Sequence, residues 1–218
     1  MMKILIVHRY FPPDESSCSQ IVNGISTHFS SMGHLVDVLT GKPSYRSDEK
    51  RQKQNFKTHQ NLIVERLTLP EEKKSKFVKI INSIKMSIYI LYLIFKKRYE
   101  LIIVTSMPPV ISAFTVMIAC RIKKIRFIYY CMDIYPEVGK ISGDFKNKII
   151  YKSLLHVDSK TCRYANPVLV HSQDMLKTLS ARPQGHKFNI KTLNNFYKNP
   201  IGSSDDYKFD VQYNNSKL

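Results

Sequence analysis

Short apolar runs recur along this chain with helical stretches or long polar segments between them, and that alternation leaves few folds open. The runs are Lys3 to Val7 (KILIV), Leu35 to Leu39 (LVDVL), Leu62 to Leu67, Leu101 to Thr105 (LIIVT), Phe127 to Tyr130, Val168 to Val170 and Ile190 to Leu193. A continuous apolar run marks a strand buried on both faces. Gln20 to Met32 has helical spacing through Ile21, Ile25 and Phe29, and Gly33 stops it at a position suited to positive φ. Pro109 to Ile122, opened by proline in its first turn, Phe145 to Tyr164 and Gln173 to Leu179 read as further helices. Crossovers longer than about ten residues pair strands in parallel, so the expected fold is α/β: a Rossmann-like, doubly wound, mainly parallel sheet of about six or seven strands with helices on both faces. Lys42 to Gln60, crowded with Lys, Arg, Gln and Ser, reads as a mobile loop.

Charge narrows the partners. Among 218 residues, 34 Lys and Arg face 17 Asp and Glu, a formal net charge of +17. Such an excess points to an anionic partner or surface, with a coding bias toward Lys, Ile and Asn as the bland alternative. In Lys73 to Lys97, the residues Phe77, Ile80, Ile81, Ile84, Ile88, Leu91 and Phe95 mark one apolar face framed by lysines. Its unbroken apolar centre, Ile88 to Phe95, is about half the ~20 residues of a spanning helix, so the segment is expected not to cross a membrane. Two compatible readings remain: a crossover helix packed on the sheet, and a basic, apolar helix that rests on an anionic bilayer.

Cys18, Cys120, Cys131 and Cys162 show no paired spacing and read as reduced residues of a cytosolic protein. Ile4 to Val7 is too short for a secretory signal, so the start is assigned to the fold. No Asp-x-Asp or clustered His, Cys and Glu spacing calls for a metal. A G-x-G-x-x-G or Walker sequence is missing as well, which weighs against dinucleotide binding and nucleoside triphosphate hydrolysis. Nucleic-acid binding has charge as its sole argument, without a helix-turn-helix or an aromatic-studded basic ribbon, and none is expected.

In open parallel sheets, ligands bind beyond the carboxyl ends of the strands. Those segments here are His8 to Ser19, Ser106 to Pro109, Cys131 to Glu137 and His171 to Asp174. Ser16, Ser17 and Ser19 stand at a helix start, where free N–H groups attract a phosphate, although one of them can simply be the N-cap. Asp133 follows a buried strand; it is either a general base for a hydroxyl or the cap of a turn, with Glu137 facing solvent. His171 and His8 are each open to a contact role or a structural one. Position at a shared rim favours the functional reading of Asp133.

These segments together carry a resemblance. The pieces MKILIVHRYFPPDESSCSQ, SMPP, YYCMDIYPEVGKISG, VLVHSQDM and HKFNIKTLNNFYKNP follow one another in the order found in the N-terminal domain of family 4 glycosyltransferases of the two-Rossmann-domain, or GT-B, type. The chain resembles most the subgroup that makes bacterial O-antigen, capsule and colanic acid-like polysaccharides. The resemblance implies sugar transfer, with retention, from a nucleotide-diphosphate sugar to a saccharide acceptor, often linked to polyprenyl diphosphate. It implies no cofactor beyond that donor, and a peripheral site on the cytoplasmic face of the plasma membrane. Asp133 becomes the catalytic base, and Ser16, Ser17, Ser19, Pro108, Tyr135, Glu137 and His171 become substrate contacts. Residues 1–200 correspond to the acceptor-side domain, and 201–218 to a linker and the start of a donor domain that is otherwise missing, so the isolated chain is expected to be inactive. Ser16 and Ser17 stand where many relatives carry a glycine pair, a departure that bears on the phosphate contact.

Overall fold

The computed structural model describes residues 1–43, 60–70, 76–143 and 147–194. Seven strands form one parallel sheet in the order β3-β2-β1-β4-β5-β6-β7. They are β1 (Lys3–Val7), β2 (Leu35–Gly41), β3 (Leu62–Leu67), β4 (Leu101–Thr105), β5 (Arg126–Cys131), β6 (Val168–Val170) and β7 (Ile190–Thr192). The order reverses between β1 and β4, whose register pairs Ile4 with Leu101 and Val7 with Val104. A reversal of this kind leaves a crevice at the carboxyl edge, because the two connections leave the sheet in opposite directions.

Alternate residues along each strand feed two separate cores. Ile4 and Ile6 pack with Val36, Val38 and Ile103 beneath α1 (Ser17–Ser31), through its Ile21 and Val22. Leu5 and Val7 pack with Leu39, Ile102 and Val104 on the opposite face. That face is covered by α2 (Lys76–Lys96), α3 (Ile111–Lys123), α5 (Lys148–Tyr164) and α6 (Gln173–Ser180), with Met86, Ile90, Val116, Cys162 and Leu179 buried. Burial on both faces is what an unbroken apolar strand needs.

Four boundaries differ from the sequence reading, each for a local reason. Helix α1 begins three residues earlier, because Ser16 Oγ accepts from Ser19 N (3.0 Å) and caps it. Pro109 lies outside α3: Val110 takes φ 57° and separates them. A short helix, α4 (Tyr135–Ile141), occupies what the sequence presents as a rim loop, with Pro136 in its first turn, where a missing N–H costs nothing. Strand β2 runs on to Gly41 because a close approach awaits it: a Cβ there would lie 1.8 Å from Arg9 Nη1. Phe145, most of the 42–60 loop, the 202–206 linker and the 209–213 segment lie outside the described residues.

Helix α2 faces the other way from its apparent apolar stripe. Phe77, Ile80, Ile84, Ile88, Leu91 and Phe95 are exposed, Ile88 by 63%, whereas Asn82, Ser83, Met86, Ser87, Ile90, Leu93 and Ile94 are buried. The small polar residues that turn inward are hydrogen-bonded, Ser83 to a carbonyl of its own helix and the others to neighbouring segments. Asn82 Nδ2 donates to Pro70 O (2.9 Å), Ser83 Oγ to Lys79 O (2.9 Å), and Ser87 Oγ lies 3.4 Å from Ser112 Oγ of α3. By length and composition Phe77–Lys96 could cross a membrane, more than the count of unbroken apolar residues indicates. Its inner face is nevertheless part of the sheet's own core.

Candidate functional site at the carboxyl edge

Parallel pairing brings the ends of all seven strands to one edge, and hydrogen bonds tie the loops there together. Arg9 N donates to Met107 O (3.1 Å), which holds the loop after β1 against the 106–109 loop and its buried Pro108. Ser106 N donates to Tyr130 O (3.1 Å). Ser106 Oγ then accepts from both Met132 N (3.1 Å) and Asp133 N (3.0 Å). This buried hydroxyl, one residue past β4, fixes the backbone at Asp133.

The Asp133 side chain is half-buried. It faces the start of α1: burial first, and then the Asp133 carboxylate, push the Cys18 thiol above its ordinary value. Tyr130 joins the same group, its hydroxyl raised by burial and by Cys18. Its Oη lies 3.4 Å from His171 Nδ1, and the two rings are 5.0 Å apart. One edge therefore collects the α1 terminus, the 106–109 loop, Asp133 and His171. A carboxylate near a helix N-terminus can accept a proton from a hydroxyl and leave N–H groups for an anion.

The sequence-derived contacts divide. Ser17 is exposed on the first turn of α1, while Tyr135, the first residue of α4, and His171 are half-buried. Ser16 is the N-cap, so its hydroxyl serves the helix. Ser19 is a correction: it is fully buried, its Oγ sealed from solvent. Glu137 is a second correction. Its carboxylate takes two hydrogen bonds from Arg182, from Nε (2.8 Å) and Nη2 (2.7 Å), so both oxygens are committed to the protein rather than to a substrate.

Arg182 also donates through Nη1 to Asp158 Oδ2 (2.7 Å), and Tyr129 Oη donates to Asp158 Oδ1 (2.8 Å). Burial opposes the charge on Arg182, but its bonds to Glu137 and the nearby Asp158 outweigh this and hold the guanidinium above its ordinary value. Burial wins at Asp158, whose pKa is raised despite Arg182. The two partners shift in opposite senses for stability because one guanidinium is shared between two carboxylates. Sequence reading missed this cluster; Asp158 and Arg182 are far apart along the chain, and only packing joins them.

His8 is also structural. It is fully buried, with Nδ1 2.7 Å from Thr105 Oγ1, and burial followed by the charge of Arg9 lowers its pKa to about 3. No group of three or more His, Cys, Asp or Glu able to hold a metal occurs among the described residues.

No family model and no curated protein matches the sequence. Solved structures do. A sucrose-phosphate synthase from Thermosynechococcus elongatus superposes with a TM-score of 0.58 at 13% identity, over 89% of this chain and 48% of that one. The fold is one half of a GT-B architecture. The catalytic domain of starch synthase IV from Arabidopsis thaliana, bound to ADP and acarbose, gives 0.58 at 12%, over 89% and 51%. A UDP-glucosyltransferase from Polygonum tinctorium gives 0.52 at 12%, over 88% and 52%. The chain thus spans about half the length of these GT-B glycosyltransferases.

Proposed function

We propose that this chain is the acceptor-binding half of a retaining glycosyltransferase of family 4, which transfers a sugar from a nucleotide-diphosphate sugar to a saccharide in cell-surface polysaccharide synthesis. The observation that carries the reading is the meeting of the α1 terminus, Ser106, Asp133 and His171 at one edge of a GT-B half. In this reading the acceptor oxygen bonds to the anomeric carbon on the face from which the nucleotide diphosphate departs, which retains configuration, and Asp133 accepts the proton that the acceptor hydroxyl loses. Ser106 is a positioning residue, since it acts through the backbone of Asp133. Ser17 and the first turn of α1 face the donor phosphates, most contacts to which come from an opposing domain.

The exposed stripe of α2 supports a membrane-attached acceptor. Six large apolar side chains stand in solvent on a helix whose charged residues are all lysines, the pattern of a helix lying on an anionic bilayer. The same stripe favours a second reading, a non-catalytic module that holds membrane or glycan. The two are separated by assaying lipid-linked and free oligosaccharides for saturable binding, and sugar-nucleotide consumption once a donor-binding domain is supplied. Acceptor binding and turnover that are both lost in Asp133→Asn support transfer. Vesicle binding with no saccharide binding overturns it in favour of the module.

A further inference from the structure

A groove of about 460 Å³ runs between α5 and the 183–188 segment, away from the Asp133 rim. One wall is a stripe of α5 residues, Lys152, His156, Lys160 and Arg163, whose spacing of three and four puts them on a single helix face. The opposite wall holds Pro183, Gln184 and Phe188, and no carboxylate lines the groove. The one acid on α5, Asp158, is buried and engaged by Arg182 and Tyr129, so it does not neutralise the stripe. Ser159 also lies along this wall, with its hydroxyl turned into the protein and sealed from solvent.

The wall opposite the cations is rigid. Gly185 N donates to Arg182 O (2.8 Å), Lys187 N to Gln184 O (2.9 Å) and Phe188 N to Gly185 O (3.0 Å). Gly185 sits so close to α6 that a Cβ would lie 2.3 Å from Ser180 O and 2.6 Å from Leu179 O. From this fixed segment Gln184 Oε1 accepts a hydrogen bond from Arg163 Nη1 (2.9 Å), which aims the guanidinium. Three exposed cations on one helix face, Arg163 among them aimed by Gln184 and with no acid opposite, leave their charge to be met by an anion.

We propose that this groove is a binding site for a phosphate-bearing ligand, held by Lys152, Lys160 and Arg163, with Phe188 beside the ligand's uncharged part. The site is independent of sugar transfer at the carboxyl edge. A guanidinium and two ammonium groups match the oxygens of a phosphomonoester or a diphosphate, whether it is free or belongs to a lipid headgroup.

The test is titration of the full ¹⁵N-labelled chain with pyrophosphate, alongside sedimentation with phosphatidylcholine vesicles with and without phosphatidic acid. Saturable shifts confined to α5 and residues 183–188 are expected, weakened at least tenfold in Lys160→Ala/Arg163→Ala and retained in the charge-matched Arg126→Ala/Lys177→Ala, at exposed positions on β5 and α6. Binding to pyrophosphate alone assigns a soluble ligand. Vesicle binding that depends on phosphatidic acid and is lost in the α5 variant assigns a headgroup. Absence of saturable pyrophosphate binding together with vesicle binding that is indifferent to the α5 variant, or pyrophosphate binding unchanged in the α5 variant with its fold intact, overturns the proposal.

Discussion

Replacing Arg182 by alanine removes the three short bonds it makes to Glu137 and Asp158 and leaves each acid to find other partners. Glu137, with a side chain 20% exposed, can turn to water; Asp158, at 1%, keeps only Tyr129. Breaking a buried ion pair from one side costs about 3–5 kcal/mol. For a domain of this size that is roughly 6–20 °C in Tm. The cost depends on pH. Asp158 already has a folded-state pKa above its ordinary value of 3.8, and losing Arg182 raises it further. A carboxyl shifted upward binds a proton more readily in the folded state, so stability falls as pH rises from the unfolded value through the folded one. The deficit of Arg182→Ala is therefore greatest near neutral pH and shrinks toward about pH 4, where about 1–2 kcal/mol from lost hydrogen bonds remains. Urea denaturation from pH 4 to 8 measures it. Arg182→Ala/Asp158→Asn, which removes the buried charge, serves where the single variant does not fold, and recovers stability at neutral pH. A neutral-pH deficit below about 1 kcal/mol, or one that is flat across pH, refutes the reasoning.

Three further outcomes are expected. His8, lowered from 6.5 to about 3, stays neutral in the fold while the unfolded chain takes up its proton. Stability is therefore lost below the ordinary histidine range, by up to about 1.4 kcal/mol per pH unit. His8→Asn should flatten that slope in acid denaturation, and an unchanged slope counts against the assignment. Ser106→Ala leaves Met132 N and Asp133 N without their acceptor and should cost about 1–3 kcal/mol, with amide shifts centred on residues 131–135; a change below about 0.5 kcal/mol would show the hydroxyl to be idle. Ile84→Glu/Ile88→Glu alters exposed positions, so its folding stability should move by no more than about 0.5 kcal/mol. Its sedimentation with anionic vesicles should fall sharply, and undiminished binding would remove α2 from the proposed membrane surface.

The strands were legible because burial on both faces writes the same run of branched aliphatics wherever a parallel strand passes through a core. That regularity carried the fold and, through the carboxyl-edge rule, the segments from which Ser17, Asp133 and His171 come. Side-chain allegiance was not legible. Ser19 and Glu137 looked like rim residues because polar side chains near strand ends usually are; in three dimensions one is sealed on the inner face of α1 and the other is taken by Arg182.

Helix α2 shows the same limit on a larger scale. Its sequence has large apolar residues on two faces, and periodicity alone selects the bulkier one, Phe77 to Phe95. The choice fell the other way because Met86, Ile90, Leu93 and Ile94 join the sheet's core while Ser87 meets Ser112 of α3. From the amino acids alone, then, came the parallel α/β layering, the candidate edge and the basic character of the chain, all of them local patterns repeated along it. Which serine caps, which acid is buried, which face of α2 meets water and which cations line a groove were decided by tertiary packing, because each depends on a partner distant in the chain.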